Sequence, residues 1–157
     1  MTATTPLPDL PMPASVMTKA ASLTDIVWHI LGQTYTPKSY SDSSMAWHAV
    51  FPAGTFVPHH IHFTQEEFVY ILTGEMECEI DGVLRKAGPG DLICMPRGIA
   101  HGLFNRSGAE TTCLFWVSPS AKLWEMFTAI DGVPDPAEVV RLATLHELEF
   151  VPAPPLK

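Results

Sequence analysis

The chain has 157 residues, long enough for one domain with a real core. Its formal charge is −8 with only nine Lys and Arg and no basic run, which argues against a nucleic-acid partner. No apolar stretch approaches a membrane span, and the N-terminus has no basic region leading into an apolar core, so neither a membrane partner nor a secretory signal is expected.

Residues 1–22 carry Pro6, Pro8, Pro11 and Pro13 among small residues and are expected to form an extended arm, loose or draped over a neighbouring subunit. The runs 26–31 and 33–36 are β-branched and aromatic, are split by Gly32, and read as strands, with Pro37 ending the second. Residues 39–44 form a polar turn, and 45–51 a strand closed by Pro52 and Gly54. A strand then leads to His62, and another runs from Glu67 to Thr73. Residues 75–80 alternate acidic and apolar, as a strand with one wet face does. Asp81-Gly82 signals a hairpin, with 83–86 as the returning strand. Residues 92–95 are short and apolar, Pro96 to Gly98 turns the chain, and His101 opens a new strand. Residues 111–117 close the set. Many short strands with regularly spaced turns make an all-β barrel or sandwich.

After Val117 the apolar period changes from two to 3.6. Ser118 and Pro119 read as the cap and first position of a helix whose apolar face holds Leu123, Trp124, Met126, Phe127 and Ile130. Asp135 to Glu138 starts a second helix with Asp135 as cap, and residues 147–151 form an extended tail. Both helices are expected to pack on the outside of the barrel, and Trp124 and Phe127 are candidates to close its mouth. The organisation is an arm at 1–22, a barrel at 23–118, and a helical segment with tail at 119–157. Cys78, Cys94 and Cys113 sit in strand-like apolar runs without close spacing, which predicts free buried thiols and a reducing cytoplasm.

Four of the seven histidines lie between Gly54 and Asn105. His60 and His62 are two residues apart, so on a strand both imidazoles face the same side. A glutamate follows across a short polar turn, and a third usable histidine arrives on a later segment. Three imidazoles and a carboxylate suit a divalent first-row metal. His59 faces the other way by strand parity, and His29, His48 and His146 read as structural or exposed.

The two ends of this stretch resemble the signature motifs of the cupin superfamily. The pattern G-x5-H-x-H-x(3,4)-E-x6-G is met by Gly54, His60, His62, Glu67 and Gly74. The pattern G-x5-P-x-G-x2-H-x3-N is met by Gly90, Pro96, Gly98, His101 and Asn105. The resemblance implies an antiparallel, jelly-roll type β-barrel, here with two short C-terminal α-helices, enclosing a metal held by His60, His62, Glu67 and His101. Glu67 is chosen over Glu66 because it leaves six residues before Gly74; Glu66 would sit at the rim. Within the superfamily the chain looks most like small quercetinase-like monocupins. That implies a dioxygenase cleaving an enol- or catechol-like compound with Fe, Mn or Ni, with Zn possible, and with dioxygen as co-substrate. Glu67 would be a ligand and, if loosened, a base. The expected lining is Phe56, Tyr70, Met95, Phe104 and Trp116, which suits an apolar or aromatic small molecule. The alternatives are a non-oxidative isomerase, lyase or decarboxylase, or a small-molecule-binding protein. A homodimer is the expected assembly.

Overall fold

The computed structural model describes residues 6–157; residues 1–5 of the expected arm lie outside the described residues. In chain order the strands are β1 (Trp28–Ile30), β2 (Gln33–Ser41), β3 (Ser44–Phe51), β4 (Phe56–His62), β5 (Glu66–Thr73), β6 (Met76–Ile80), β7 (Val83–Ala87), β8 (Leu92–Met95), β9 (His101–Phe104) and β10 (Thr111–Ser118). Helices α1 (Leu123–Ile130) and α2 (Pro136–Thr144) follow, then β11 (Leu148–Phe150). They build two antiparallel sheets, one in the order β1-β2-β3-β10-β5-β8 and the other β11-β4-β9-β6-β7.

Alternation sets which side chains meet between the sheets. In β3 the buried residues are Met45, Trp47, Ala49 and Phe51; in β10 they are Thr111, Cys113, Phe115 and Val117. The ladder puts Trp47 opposite Phe115 and Phe115 opposite Val69, and it puts Met45 opposite Val117 and Val117 opposite Glu67. Glu67 therefore lies one inward row from Trp47. Phe115 stacks on Trp47 at 5.1 Å and on Phe51 at 6.0 Å, with rings tilted by 15° and 11°.

The structure departs from the sequence reading most at β2, at the start of α1 and in the tail. Strand β2 continues through Pro37 to Ser41, because the ladder slips between Pro37 and Ser39 and the bulge absorbs the missing N–H. Helix α1 begins at Leu123 rather than after Ser118, because Ser118 stays in the ladder opposite Glu66 and its hydroxyl donates to Ser43 O at 3.0 Å. The tail segment β11 pairs with β4, with Leu148 opposite His62 and Phe150 opposite His60. Asp135 caps α2 as expected, accepting from Ala137 N at 3.0 Å. Cys78 and Cys113 are buried, but Cys94 is exposed because β8 turns Ile93 and Met95 inward instead. All three are free.

Residues 18–21 at the end of the expected arm are held against their own chain. Lys38 Nζ donates to the carbonyls of Thr18 at 3.1 Å, Lys19 at 3.0 Å and Ala21. Gly74 joins β5 to β6 at φ +78, and a Cβ there would lie 2.6 Å from Glu110 O. Only glycine fits so close a backbone approach.

The central aromatic stack gives a direct stability test. Phe115→Ala removes the ring between Trp47 and Phe51 and is expected to cost about 3–5 kcal/mol in urea unfolding. A cost below about 1 kcal/mol would show that this row is not the core.

Candidate metal centre

His60 and His62 share the inward face of β4, and His101 opens β9 directly opposite His60. Glu67 arrives on β5, in the facing sheet. All four are buried, and their ligand atoms lie within 4.8 Å of one another. The imidazole Nε2 atoms of His101, His62 and His60 lie 3.1, 3.4 and 3.8 Å from Glu67 Oε2.

The opposite ring nitrogens are all engaged. His60 Nδ1 is 2.8 Å from Pro58 O, and His101 Nδ1 is 2.9 Å from Ile99 O. A carbonyl only accepts, so each Nδ1 carries a hydrogen, and in the neutral ring each Nε2 keeps its lone pair. For His62 the partner is Gln65 Oε1 at 2.9 Å. The Gln65 amide is oriented by its own nitrogen, which donates to Pro119 O at 2.9 Å and Ser120 O at 2.7 Å. Its oxygen must therefore accept, which fixes the same tautomer on His62. Three lone pairs and a carboxylate gathered in a buried space repel one another unless a cation joins them. The donor set fits a divalent metal, with each imidazole braced from behind.

Without a bound cation, a proton taken up at an Nε2 atom offsets the same carboxylate. Burial pushes the His60 pKa down to about 4, outweighing the opposing hydrogen bond with Glu67. Burial would raise the Glu67 carboxyl, but the charge of His62 and hydrogen bonds with all three imidazoles hold it well below the usual carboxylate range. Burial also works against charge on His62, but the Glu67 carboxylate prevails and raises it.

The structure brings His60, His62, Glu67 and His101 together and leaves the neighbouring candidates elsewhere. Glu66 points away, 3.4 Å from Arg97. His59 is buried behind the sheet with Nε2 3.0 Å from Glu79 Oε2, though misaligned for a hydrogen bond. His29 is exposed; His48 and His146 are half-buried.

The expected lining residues are placed differently. Phe56 and Phe104 stack on each other at 5.8 Å on the outer face, under the Arg106 guanidinium. Trp116 stacks on Phe68 on the outside of the first sheet, and Tyr70 is exposed. Met95 faces inward but is packed away from the cavity. Parity explains this: Tyr70 and Phe104 are three residues from Glu67 and His101, hence on the opposite face. In β4, a register slip between Val57 and His60 breaks the count back to Phe56.

The cavity beside the cluster has a volume of about 50 Å³. Its wall is apolar, as the sequence led one to expect, but it is built by other residues. Tyr35, Trp47 and Phe115 come from the first sheet, and Leu123, Met126 and Phe127 from α1. Helix α1 thus closes the mouth through Phe127, while Trp124 packs behind it on Trp28 at 4.9 Å. Among the described residues, no Lys or Arg lines the cavity. Gln65, Gln33 and Tyr35 were not singled out in the sequence. Gln65 lies between the two halves of the first motif, which is the one signal that pointed to it.

Residues 47–118 match the family model for the cupin domain. The chain is 22% identical to an RmlC-like cupin from Shewanella frigidimarina, with a TM-score of 0.55 over 60% of this chain and 83% of that one. The fold is the cupin fold. KdgF from a Halomonas species is similar in structure too, with 24% identity and a TM-score of 0.53 over 56% of this chain and 81% of that one. In sequence, the chain is 30% identical over 73 residues to protein SchB of Streptomyces halstedii, covering 46% of this chain and 53% of that protein. It is 42% identical over 62 residues to the dimethylsulfoniopropionate lyase DddQ of Ruegeria pomeroyi, covering 39% of this chain and 30% of that protein. The chain thus spans about half or less of the length of these two relatives. Together these likenesses support the cupin superfamily.

Two measurements test the centre. Gln65→Leu leaves all four donors in place but frees the His62 ring, and Zn²⁺ affinity is expected to fall about 10- to 100-fold by calorimetry; unchanged affinity would remove Gln65 from the site. Metal must displace protons from the imidazoles. Because His62 is raised, affinity should begin to fall at a pH above its ordinary value of 6.5. Affinity that is flat from pH 8 to pH 6 would contradict the assignment.

Proposed function

We propose that this chain is a metal-dependent enzyme that transforms a small carbonyl or carboxylate compound without consuming oxygen, as a lyase or isomerase does. The observation that carries the metal role is the bracing of three Nδ1 atoms while three Nε2 atoms converge on Glu67 Oε2. His60, His62, Glu67 and His101 would hold Fe, Mn, Ni or Zn. The bound metal would supply Lewis acidity toward a substrate oxygen.

The cavity wall and the sequence relatives favour this reading. With no Lys or Arg among the described residues of the wall, a phosphorylated substrate has no counter-charge from them. The 42% identity to a dimethylsulfoniopropionate lyase makes that compound a candidate for the substrate panel. Glu67, held ionised, would anchor the metal. Tyr35 stays protonated, because burial and the nearby Glu67 charge raise it well above its ordinary value.

A second reading is the dioxygenase. His60, His62, Glu67 and His101 would hold a metal that supplies the site for dioxygen chemistry, and the apolar wall would shield the reaction from water.

The two readings separate in one experiment. Protein loaded with Fe, Mn, Ni or Zn is given dimethylsulfoniopropionate, short hydroxy-carbonyl compounds, β-diketones and catechols, with and without oxygen, and products are followed by proton NMR. Conversion that is equal under nitrogen and persists with Zn supports the non-oxidative reading. Conversion that stops under nitrogen and with Zn overturns it in favour of the dioxygenase. His101→Ala should abolish both metal retention and turnover.

A further inference from the structure

A second space lies outside the metal cavity. It is a groove of about 560 Å³, bordered by the β1–β2 turn, the start of β4, the loop after α1, and α2. That volume is usual for a small-molecule site. Its wall includes Phe56, Pro58, Val133 and Val140, and of these Phe56 and Val140 are exposed. Among the described residues, no Lys, Arg, Asp or Glu lines it. An ionic group would lose water there without a counter-charge, whereas a hydrocarbon group gains by leaving water.

Leu31, Val139 and Phe150 line both the groove and the metal cavity. The two spaces therefore meet at these three side chains. Phe150 also stands against a metal-facing imidazole, with its ring centroid 5.8 Å from that of His60.

Leu31 holds its place at a cost to the backbone. Ile30 pairs with Gln33, so Leu31 and Gly32 form a two-residue turn, with φ +51 and +83. Such a turn favours Asn, Asp or Gly at its first position, and a leucine there is strained. Strain kept at the boundary of two cavities points to a role for the side chain at that boundary.

We propose that the groove is the outer half of the substrate site. It takes the uncharged hydrocarbon tail of a monocarboxylate whose head lies beside His60, His62, Glu67 and His101. The tail passes between Leu31, Val139 and Phe150, and Leu31 moves aside to admit it. This rests on the carbonyl-or-carboxylate reading of the metal site and names its substrate class.

The test uses the whole Zn²⁺-loaded chain and measures binding of acetate, butanoate, hexanoate and octanoate by calorimetry. Affinity should rise about fourfold per added methylene once the tail enters the groove. Val140→Glu places a carboxylate in the groove, at an exposed position of α2 where glutamate suits the helix. It should lower the octanoate-to-acetate affinity ratio about tenfold and shift preference from octanoate towards 8-aminooctanoate by a similar factor. Leu31→Gly suits the turn and removes the side chain that a long tail displaces, so octanoate should gain on acetate. Affinity that is flat from acetate to octanoate, or ratios that Val140→Glu leaves unchanged, would overturn the proposal. So would an octanoate-to-acetate ratio that Leu31→Gly lowers or does not move. Zn²⁺ affinity measured on the same samples keeps the two levels apart. Tight Zn²⁺ binding with a flat chain-length series sinks only the groove. Loss of Zn²⁺ binding in the unaltered protein sinks the metal reading beneath it.

Discussion

The structure depends on holding three imidazole lone pairs and one carboxylate against their mutual repulsion. Each imidazole is secured through its far nitrogen, two by main-chain carbonyls and one by Gln65. Main-chain bonds of this kind cost the fold little, because Pro58 and Ile99 lie two residues before the histidines they brace. The strand geometry therefore supplies both the ring direction and the tautomer. The remaining repulsion is what a bound cation would relieve, and for that reason the donor set fits a divalent metal.

Bringing the four donors together requires two distant stretches to meet in register. The first and last residues of the stretch are joined directly: Gly54 N donates to Asn105 O at 2.9 Å, and Asn105 N donates to Thr55 O at 3.0 Å. The Asn105 side chain then ties Phe51 O and Ala109 O at 2.8 and 2.7 Å. At the other end, Gly98 N donates to His62 O at 2.8 Å. The glycine and asparagine positions are thus clamps that fix β4 against β9, and the histidines inherit their alignment from those clamps.

This division explains what could be read from the sequence. The four inward donors were legible because they combine strand parity with fixed spacing to glycines, and both are local properties. Asp135 as the cap of α2 was legible for the same reason. The wall of the cavity was not. Tyr35, Trp47 and Phe127 sit on three elements, and which alternate residue faces inward depends on ladder register and on the slips at Val57 and Pro37. The start of α1 was misread because Ser118-Pro119 is a good local helix opening, yet pairing of Ser118 with Glu66 claims it for the sheet. Tertiary pairing overrode a local signal.

Gln65 links these two levels. Its oxygen orients His62, while its nitrogen holds the carbonyls of Pro119 and Ser120, in the segment that leads into α1. Helix α1 in turn places Phe127 against Tyr35 and Trp47 over the cavity. One buried amide therefore couples the direction of a metal-facing imidazole to the seating of the helix that closes the site. A shift of α1 large enough to widen the cavity would pull on Pro119 and Ser120, and through Gln65 on the His62 ring. Access to the cavity and the geometry of the donor set are consequently not independent properties of this protein.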